Sequence, residues 1–528
     1  SENFQALNLM QRRYREKIKC VYIDPPYNTG NDEFLYKDNY QHSSWLAMMS
    51  ERTKLMRNLL KTDGTLFSSI DYNEIANLKD LFDIDYGPEN MEGLITWRRR
   101  HNQPNDKTKM IGLVSEYLLA YAKSSTSLRT SGVGKLDLTG SFSNPDKDPR
   151  GPWASKPWKV GSGQSGTKYQ IVSPTGKVLD AEWMGDLATY KSLLEDKRII
   201  FPRRGDGFPR KKYFKSEREE EGQCASNWWE HQYFGNNATA TDTLNALFGC
   251  KNLINNPKPI ELVRGVVQIS GREVKSVADY FAGSGTTGHA VINLNREDGG
   301  RRKFILVEMA DYFDTVLLPR LKKVTFSPEW KDGKPKRVAT AEEAERGPLI
   351  IKVIRLESYE DALNNLLPSE ESSGQVALQF EDYLLKYMLQ WETRKSETLL
   401  NVEKISKPFD YCLHIYRDGE TRVQKVDLPE TFNYLIGLDV AKRQVLDNNG
   451  RYYLIYRGAT REGKSTVVIW RETAGWTEED YKRDRDFVAK HKFTEGADVI
   501  YVNGDSLIPG AQALEGVFKA KMFAGVEG

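Results

Sequence analysis

Apolar and polar positions in this chain alternate between two periods. The runs 18–23, 65–70, 94–97 and 116–121 are short, apolar and rich in β-branched and aromatic residues, and each reads as a buried strand. Over 45–60 apolar residues recur at three and four, which predicts a helix stopped by Asp63-Gly64, and a second helix is expected from about Asn73 to Phe82. Strands alternating with helices imply an α/β domain with a mainly parallel, doubly wound sheet.

From about Ser124 the periodicity fades. Ser, Gly, Pro and Lys dominate as far as Gly166, and Trp153, Trp158 and Trp183 lie among basic residues, as in an inserted domain of irregular strands and loops ending before Asn255. The pattern then resumes with a helix opened by Pro257-Lys258-Pro259, a strand over 274–281, a helix carrying His289, Ala290, Val291 and Leu294, and a strand over 303–307. The insertion therefore interrupts one sheet. Beyond about residue 340 a separate domain is expected. It has an amphipathic helix over 375–391 whose aromatic stripe suits core or a subunit contact, hairpin turns at Asp418-Gly419 and Asn449-Gly450, and a β-α-β unit over 467–502. No catalytic constellation is visible there, so binding or assembly is its default role.

With 528 residues the chain exceeds one hydrophobic core, and 39% hydrophobic with 28% charged residues is the composition of an ordinary soluble globular protein. No apolar run approaches the roughly 18 residues that span a bilayer, and nothing resembles a secretory signal. Cys20, Cys224, Cys250 and Cys412 lack C-x-x-C spacing, so neither a zinc site nor a disulfide framework is indicated, and a reduced, cytoplasmic protein is expected. The chain opens on Ser1 and reaches its first strand early, which leads us to expect a further segment before it. Net charge is +2, but residues 97–215 hold 23 Lys and Arg against 11 Asp and Glu, the footprint of a polyanion site or a solvated basic face.

Candidate chemistry sits where strands end. Asp24-Pro25-Pro26-Tyr27, followed by Asn28-Thr29-Gly30, closes the first strand, at the edge where open α/β sheets place their ligands. Two prolines remove two N–H donors and stiffen the turn; taken alone, this is a proline-kinked strand end. Asp279-Tyr280-Phe281-Ala282-Gly283-Ser284-Gly285-Thr286-Thr287-Gly288 closes a later strand and starts a helix, with glycines that allow close backbone approach but no P-loop lysine. Glu308 ends the next strand, where an acid can accept the ribose hydroxyls of an adenosine cofactor.

Together and in this order, the D-P-P-Y turn, the D-x-F-x-G-x-G-T-T loop, Glu308 and the N-x-x-K-P helix start around Lys258 resemble the amino-group DNA methyltransferases that use S-adenosylmethionine. The order of motifs resembles the family's β class, and the size, D-P-P-Y-N-T-G and the long C-terminal region resemble the Mod subunits of Type III restriction–modification systems. This resemblance implies a class I methyltransferase fold, a permuted seven-stranded doubly wound sheet with an inserted target-recognition domain and a C-terminal α+β domain. It divides the chain into a catalytic half (1–123), a DNA-recognition insertion (124–250), a cofactor half (251–330) and an assembly or partner domain (340–528).

The resemblance assigns catalysis to Asp24, Pro25, Pro26 and Tyr27 and cofactor contacts to Asn28, Lys258, Asp279, Phe281, Gly283, Gly285, Thr286 and Glu308. No metal is implied. Asp24 and the Pro25 carbonyl would accept the two N–H bonds of an adenine N6 and free its lone pair for in-line methyl transfer, with Tyr27 stacked on a flipped base. Asp rather than Ser at the first motif position favours adenine N6 over cytosine N4. Arg98, Arg99 and Arg100 are expected to contact phosphate. Implied partners are double-stranded DNA, a second copy of the chain and a Res helicase–nuclease subunit in the bacterial cytoplasm; the alternatives are a cytosine-N4 DNA methyltransferase, since the two reactions share this geometry, and a specificity subunit that mainly recruits that nuclease.

Overall fold

Strands buried on both faces and helices with one apolar stripe fit together as a sheet covered by helices. The computed structural model describes residues 2–28, 42–103, 107, 110–137, 140–251, 253–366, 396–417 and 420–523. The chain forms two compact units, one of Ser1–Thr130, Trp228–Val267 and Val274–Gly528, the other of Ser131–Asn227 with Gln268–Glu273.

The larger unit begins with α1 (Asn3–Tyr14), β1 (Ile18–Ile23), α2 (His42–Leu59), β2 (Leu60–Ile70), α3 (Ile75–Tyr86), β3 (Met91–Arg98) and β4 (Ser115–Ala122). The smaller unit holds β5 (Trp153–Pro157), β6 (Thr167–Val172), β7 (Val178–Trp183), β8 (Ile199–Ile200) and β9 (Arg210–Phe214). The chain then returns to the first sheet with β10 (Trp228–Trp229), β11 (Ser276–Asp279) and β12 (Lys303–Leu306). Seven strands lie in the order β10-β3-β4-β2-β1-β11-β12. β4 runs antiparallel to both β3 and β2, and every other pairing is parallel. The sheet is thus mixed, since consecutive strands β3 and β4 pair antiparallel, and among the described residues between them there is no helix. Trp45, Met49, Met56 and Leu59 of α2 and Leu78 and Phe82 of α3 are fully buried in one core with Ile18, Val21, Ile23, Leu66 and Ile70. Each such side chain contributes about 1.5–3 kcal/mol through burial.

Three boundaries differ from the sequence pattern. Asp63-Gly64 does not stop α2; it lies inside β2, which starts at Leu60. A Cβ on Gly64 would stand 2.9 Å from the Lys61 carbonyl oxygen and 3.1 Å from that of Ile18, so this glycine allows two strands to meet where their register shifts. The insertion closes earlier than 250: β10 joins the seven-stranded sheet, with Trp229 buried and stacked on Phe234 at 4.0 Å and Trp228 half exposed. Finally, the residues beyond 340 share a compact unit with the sheet. There the helix Leu428–Leu435 packs on α1, with Arg13 over the ring of Tyr434 at 5.0 Å.

In this C-terminal region Asn449 and Gly450, at φ 54° and 81°, form the hairpin turn between Asp439–Asn448 and Arg451–Ala459. Ser465–Arg471 and Val499–Val502 are parallel neighbours linked through the helix Glu478–Lys490, with Arg471 and Asp484 paired and fully buried between them. The helix expected over 375–391 and the turn at 418–419 lie outside the described residues, although Cys412–Arg417 and Glu420–Lys425 on either side of that turn pair antiparallel. In the smaller unit, β5-β9-β8 and the β6-β7 hairpin enclose Trp158, Ile171, Leu179, Trp183, Tyr190 and Ile199. Among the described residues no helix is long and apolar enough to cross a membrane, and no His, Cys, Asp and Glu side chains group as metal ligands.

Candidate active site

β1 and β11 are adjacent and parallel, with Cys20 opposite Val277 and Val21 opposite Ala278. Continuing that register brings Asp24 and Phe281 off the sheet at one level, so the proline turn and the glycine loop share an edge although the insertion separates them in sequence. The turn is fixed from outside: the buried Trp45 donates its Nε1–H to the Pro26 carbonyl at 2.8 Å. Asn28, at φ 58°, gives its side-chain amide to Glu74 Oε1 at 2.7 Å. Glu74 is fully buried and also meets Asn77 and His42, each at 2.7 Å. Asn28 is therefore used to anchor the end of the turn on α3.

Four polar side chains close a ring above β1. Lys258 Nζ lies 2.9 Å from Asp24 Oδ2 and 3.3 Å from Glu116 Oε2. Opposite it, the Tyr27 hydroxyl lies 2.8 Å from Asp24 Oδ1 and 3.1 Å from Glu116 Oε2, sharing one proton between two carboxylates. The Lys258 ammonium also stands 5.0 Å from the centre of the Tyr27 ring. Arg99 completes the set by donating to Glu116 Oε1 at 2.7 Å.

The two carboxylates differ electrostatically. Burial raises the Asp24 pKa above the ordinary range, and neighbouring Glu116 adds to the rise against the pull of Lys258 and Tyr27. Burial also works against ionisation of Glu116, but Lys258 and Arg99 together hold its pKa below the ordinary value. Lys258 loses hydration through burial, yet the two acids keep its proton bound more firmly than usual. Tyr27 is held neutral by burial and by both acids. The two acids of one ring are thus shifted in opposite directions, Glu116 toward its charged form and Asp24 away from it.

The glycine loop is organised from beneath by Asp279. Its Oδ1 accepts from Phe281 N at 3.0 Å and its Oδ2 from the Thr287 hydroxyl at 2.6 Å, while burial pushes its pKa up to about 7 against these bonds. Gly283 and Gly285 have φ of 53° and 81°, a conformation that side chains rarely adopt. Gly283 N donates to Glu308 Oε2 at 2.8 Å, and Glu308 Oε1 accepts from Met309 and Ala310 N at 2.8 and 3.0 Å. Burial raises Glu308 although these backbone donors counter it. Thr286 donates its hydroxyl to the Lys258 carbonyl at 3.1 Å and joins the loop to the acid–lysine ring. A Cβ built on Gly283 would meet only the Phe281 carbonyl oxygen, at 3.9 Å. The loop is thus open on that side, with a buried acid bonded to the same glycine and half-exposed Met309 next to it. The buried acid at the rim suits the hydroxyls of a ribose, and the open face over the glycines leaves room for the chain that such a ribose carries.

Several expected residues are placed differently. Lys258 joins Asp24 and Glu116 rather than the loop's open face. Arg99 turns inward to Glu116, and Arg98 reaches Glu230 at 3.6 Å and the carbonyls of Arg100 and His101. Of the three arginines expected at phosphate, Arg100 is the exposed one. Glu116 was visible in sequence only as a strand position; its signal is an acid leading an otherwise apolar strand.

The model of the DNA methylase family, which spans N6 and N4 enzymes, matches residues 18–316, from β1 past Glu308. The Mod subunit of the Type III restriction–modification enzyme StyLTI of Salmonella typhimurium is 33% identical over 337 residues, covering 58% of this chain and 51% of that protein. The Mod subunit of EcoP15I of Escherichia coli is 27% identical over 379 residues, covering 58% and 57%. The chain thus spans about half the length of these relatives. Among solved structures, the cytosine-N4-specific PvuII DNA methyltransferase aligns at 14% identity over 61% of this chain and 84% of that one, with a TM-score of 0.34.

Proposed function

This chain belongs to the DNA methylase family, and on that premise we propose that it is an S-adenosylmethionine-dependent, site-specific methyltransferase of adenine N6 in double-stranded DNA. The observation that carries the reading is the adjacency of β1 and β11, which sets Asp24 and Tyr27 beside the glycine loop at one sheet edge. S-adenosylmethionine, when bound, supplies a methyl group on a sulfonium. Gly283, Gly285 and Thr286 would hold its methionine end and Glu308 its ribose, with Phe281 beside them and Asp279 beneath.

Adenine N6 is a weak nucleophile because its lone pair is drawn into the ring. Asp24 accepting one N–H and the Pro25 carbonyl the other would pull the nitrogen toward tetrahedral geometry, where positive charge develops. Both Asp24 oxygens already have donors, Tyr27 and Lys258. Glu116 touches both donors as well, so it can retain them as the base arrives. Tyr27, released from Asp24, becomes available to stack on the flipped ring and offset part of the roughly few kcal/mol that extrusion costs.

The similarity to Mod subunits supports a place in a Type III restriction–modification assembly. Within it we propose a homodimer that recognises DNA through residues 131–227 and binds a helicase–nuclease subunit in the bacterial cytoplasm. Incubation with labelled S-adenosylmethionine and duplex DNA, followed by nucleoside analysis, tests the central reading. N6-methyladenine is expected. N4-methylcytosine, or no methylated base at all, would overturn it.

A further inference from the structure

Beneath the glycine loop lies an arginine that the acid–lysine ring does not use. Arg320, on the helix Leu318–Phe326, is 1% exposed. Its Nη1 donates to Ser284 Oγ at 2.8 Å and Thr286 Oγ1 at 3.0 Å, and meets the Ser284 carbonyl at 3.3 Å. Its Nε donates to His289 Nδ1 at 3.2 Å. Every one of these partners is uncharged. Burial, with Arg320 and Arg296 nearby, holds His289 neutral, which leaves Nδ1 free to accept. Among the described residues no carboxylate forms an ion pair with Arg320, and desolvation alone lowers its pKa to about 9, so it stays charged at neutral pH.

A buried cation satisfied only by hydroxyls, a carbonyl and an imidazole is costly to hold, because hydrogen bonds replace lost hydration but do not neutralise the charge. The other buried arginine described above, Arg471, has its acid in Asp484. Through its bonds to Ser284 and Thr286 the Arg320 charge is held directly against the loop. It adds to the partial positive charge at the start of the 13-residue helix Thr286–Asp298. Gly283, three residues before Thr286, is open on its Cβ side apart from the Phe281 carbonyl oxygen at 3.9 Å.

We infer that Arg320 is a positioning residue for an anionic group over the glycine loop, the carboxylate at the amino-acid end of the cofactor, acting through Ser284 and Thr286. This rests on the cofactor reading above. A purely structural Arg320 would tie its helix to the loop and affect every adenosine ligand alike. A counter-charge role affects only ligands that carry the carboxylate.

The test compares S-adenosylhomocysteine with 5′-methylthioadenosine, which lacks the amino-acid end, by calorimetric titration of the full chain. Arg320→Met should weaken S-adenosylhomocysteine about tenfold or more and methylthioadenosine less than about threefold, with Arg320→Lys restoring part of the loss. Equal loss for both ligands, or none for either, would overturn the inference. Should Arg320→Met fail to melt cooperatively, wild-type protein decides: decarboxylated S-adenosylhomocysteine should bind about tenfold more weakly than the parent, and equal affinities would reject the role. Absence of binding by any of these nucleosides to wild-type protein would instead overturn the methyltransferase reading, and this inference with it.

Discussion

Lys258 Nζ stands 2.9 Å from Asp24 Oδ2, so the carboxylate proposed to receive the base is occupied by a cation of the same chain. A nearly buried lysine placed between two acids is held by both, and either can retain it when the other is engaged elsewhere. Asp24→Ala should therefore lower kcat by about 10²- to 10³-fold, the scale for loss of one preorganised acceptor, while duplex affinity stays within about threefold. Steady-state kinetics with a binding titration checks this. Collapse of DNA binding together with activity would make Asp24 a structural residue.

Glu116 is predicted to matter for a different reason. Glu116→Gln leaves the Lys258 ammonium with Asp24 as its one acid, so freeing Asp24 for the base becomes harder. We expect kcat to fall by one to two orders of magnitude, roughly the cost of weakening a charge-assisted pair, with little change in KM for DNA. An unchanged kcat would show that Lys258 leaves Asp24 without help from Glu116.

Adjacent arginines should separate cleanly. Arg100→Gln removes an exposed cation and should reduce the slope of log affinity against log salt by about 1, uniformly across DNA sequences. Arg99→Gln should leave that slope unchanged and lower kcat, because its guanidinium serves Glu116 at 2.7 Å. Binding isotherms at several salt concentrations distinguish the two, and a flattened slope for Arg99→Gln would place that residue at phosphate after all.

Stability should carry the imprint of Asp279. Its folded-state pKa is pushed up to about 7 from an ordinary 3.8, so between these values the native state binds more protons than the unfolded chain. The contribution of this residue to stability therefore falls as pH rises through that window, by at most about 1.4 kcal/mol per unit. Asp279→Asn should flatten this fall, as measured by Tm between pH 4.5 and 7.5. A Tm profile parallel to that of wild type would remove Asp279 as its source.

What sequence made legible was chemistry written into the backbone. Two prolines after Asp24 and glycines at 283 and 285 constrain local conformation whatever surrounds them, and both turns lie on the expected edge. The burial of Glu116, Glu74 and Arg320 was not legible, because a charged residue at the end of a strand, just before a helix or within one has the same pattern whether it faces water or is sealed inside. Arg99 misled for the related reason that a run of three arginines reads as surface, and neither its turn toward Glu116 nor that acid's burial is written in spacing. Gly64 misled in the opposite sense: an Asp-Gly pair signals a stop, but here the absence of a Cβ accommodates a neighbouring strand.

The hydroxyl of Thr286 holds the carbonyl of Lys258, the residue just before Pro259, which has no N–H of its own to offer. The lysine backbone is thereby gripped by a stiff ring on one side and by the glycine loop on the other. Kinetic constants for changes within 279–287 will consequently not sort into cofactor affinity and turnover. A loosened loop shifts the lysine, and a defect that begins as weak binding will be measured as slow methyl transfer as well.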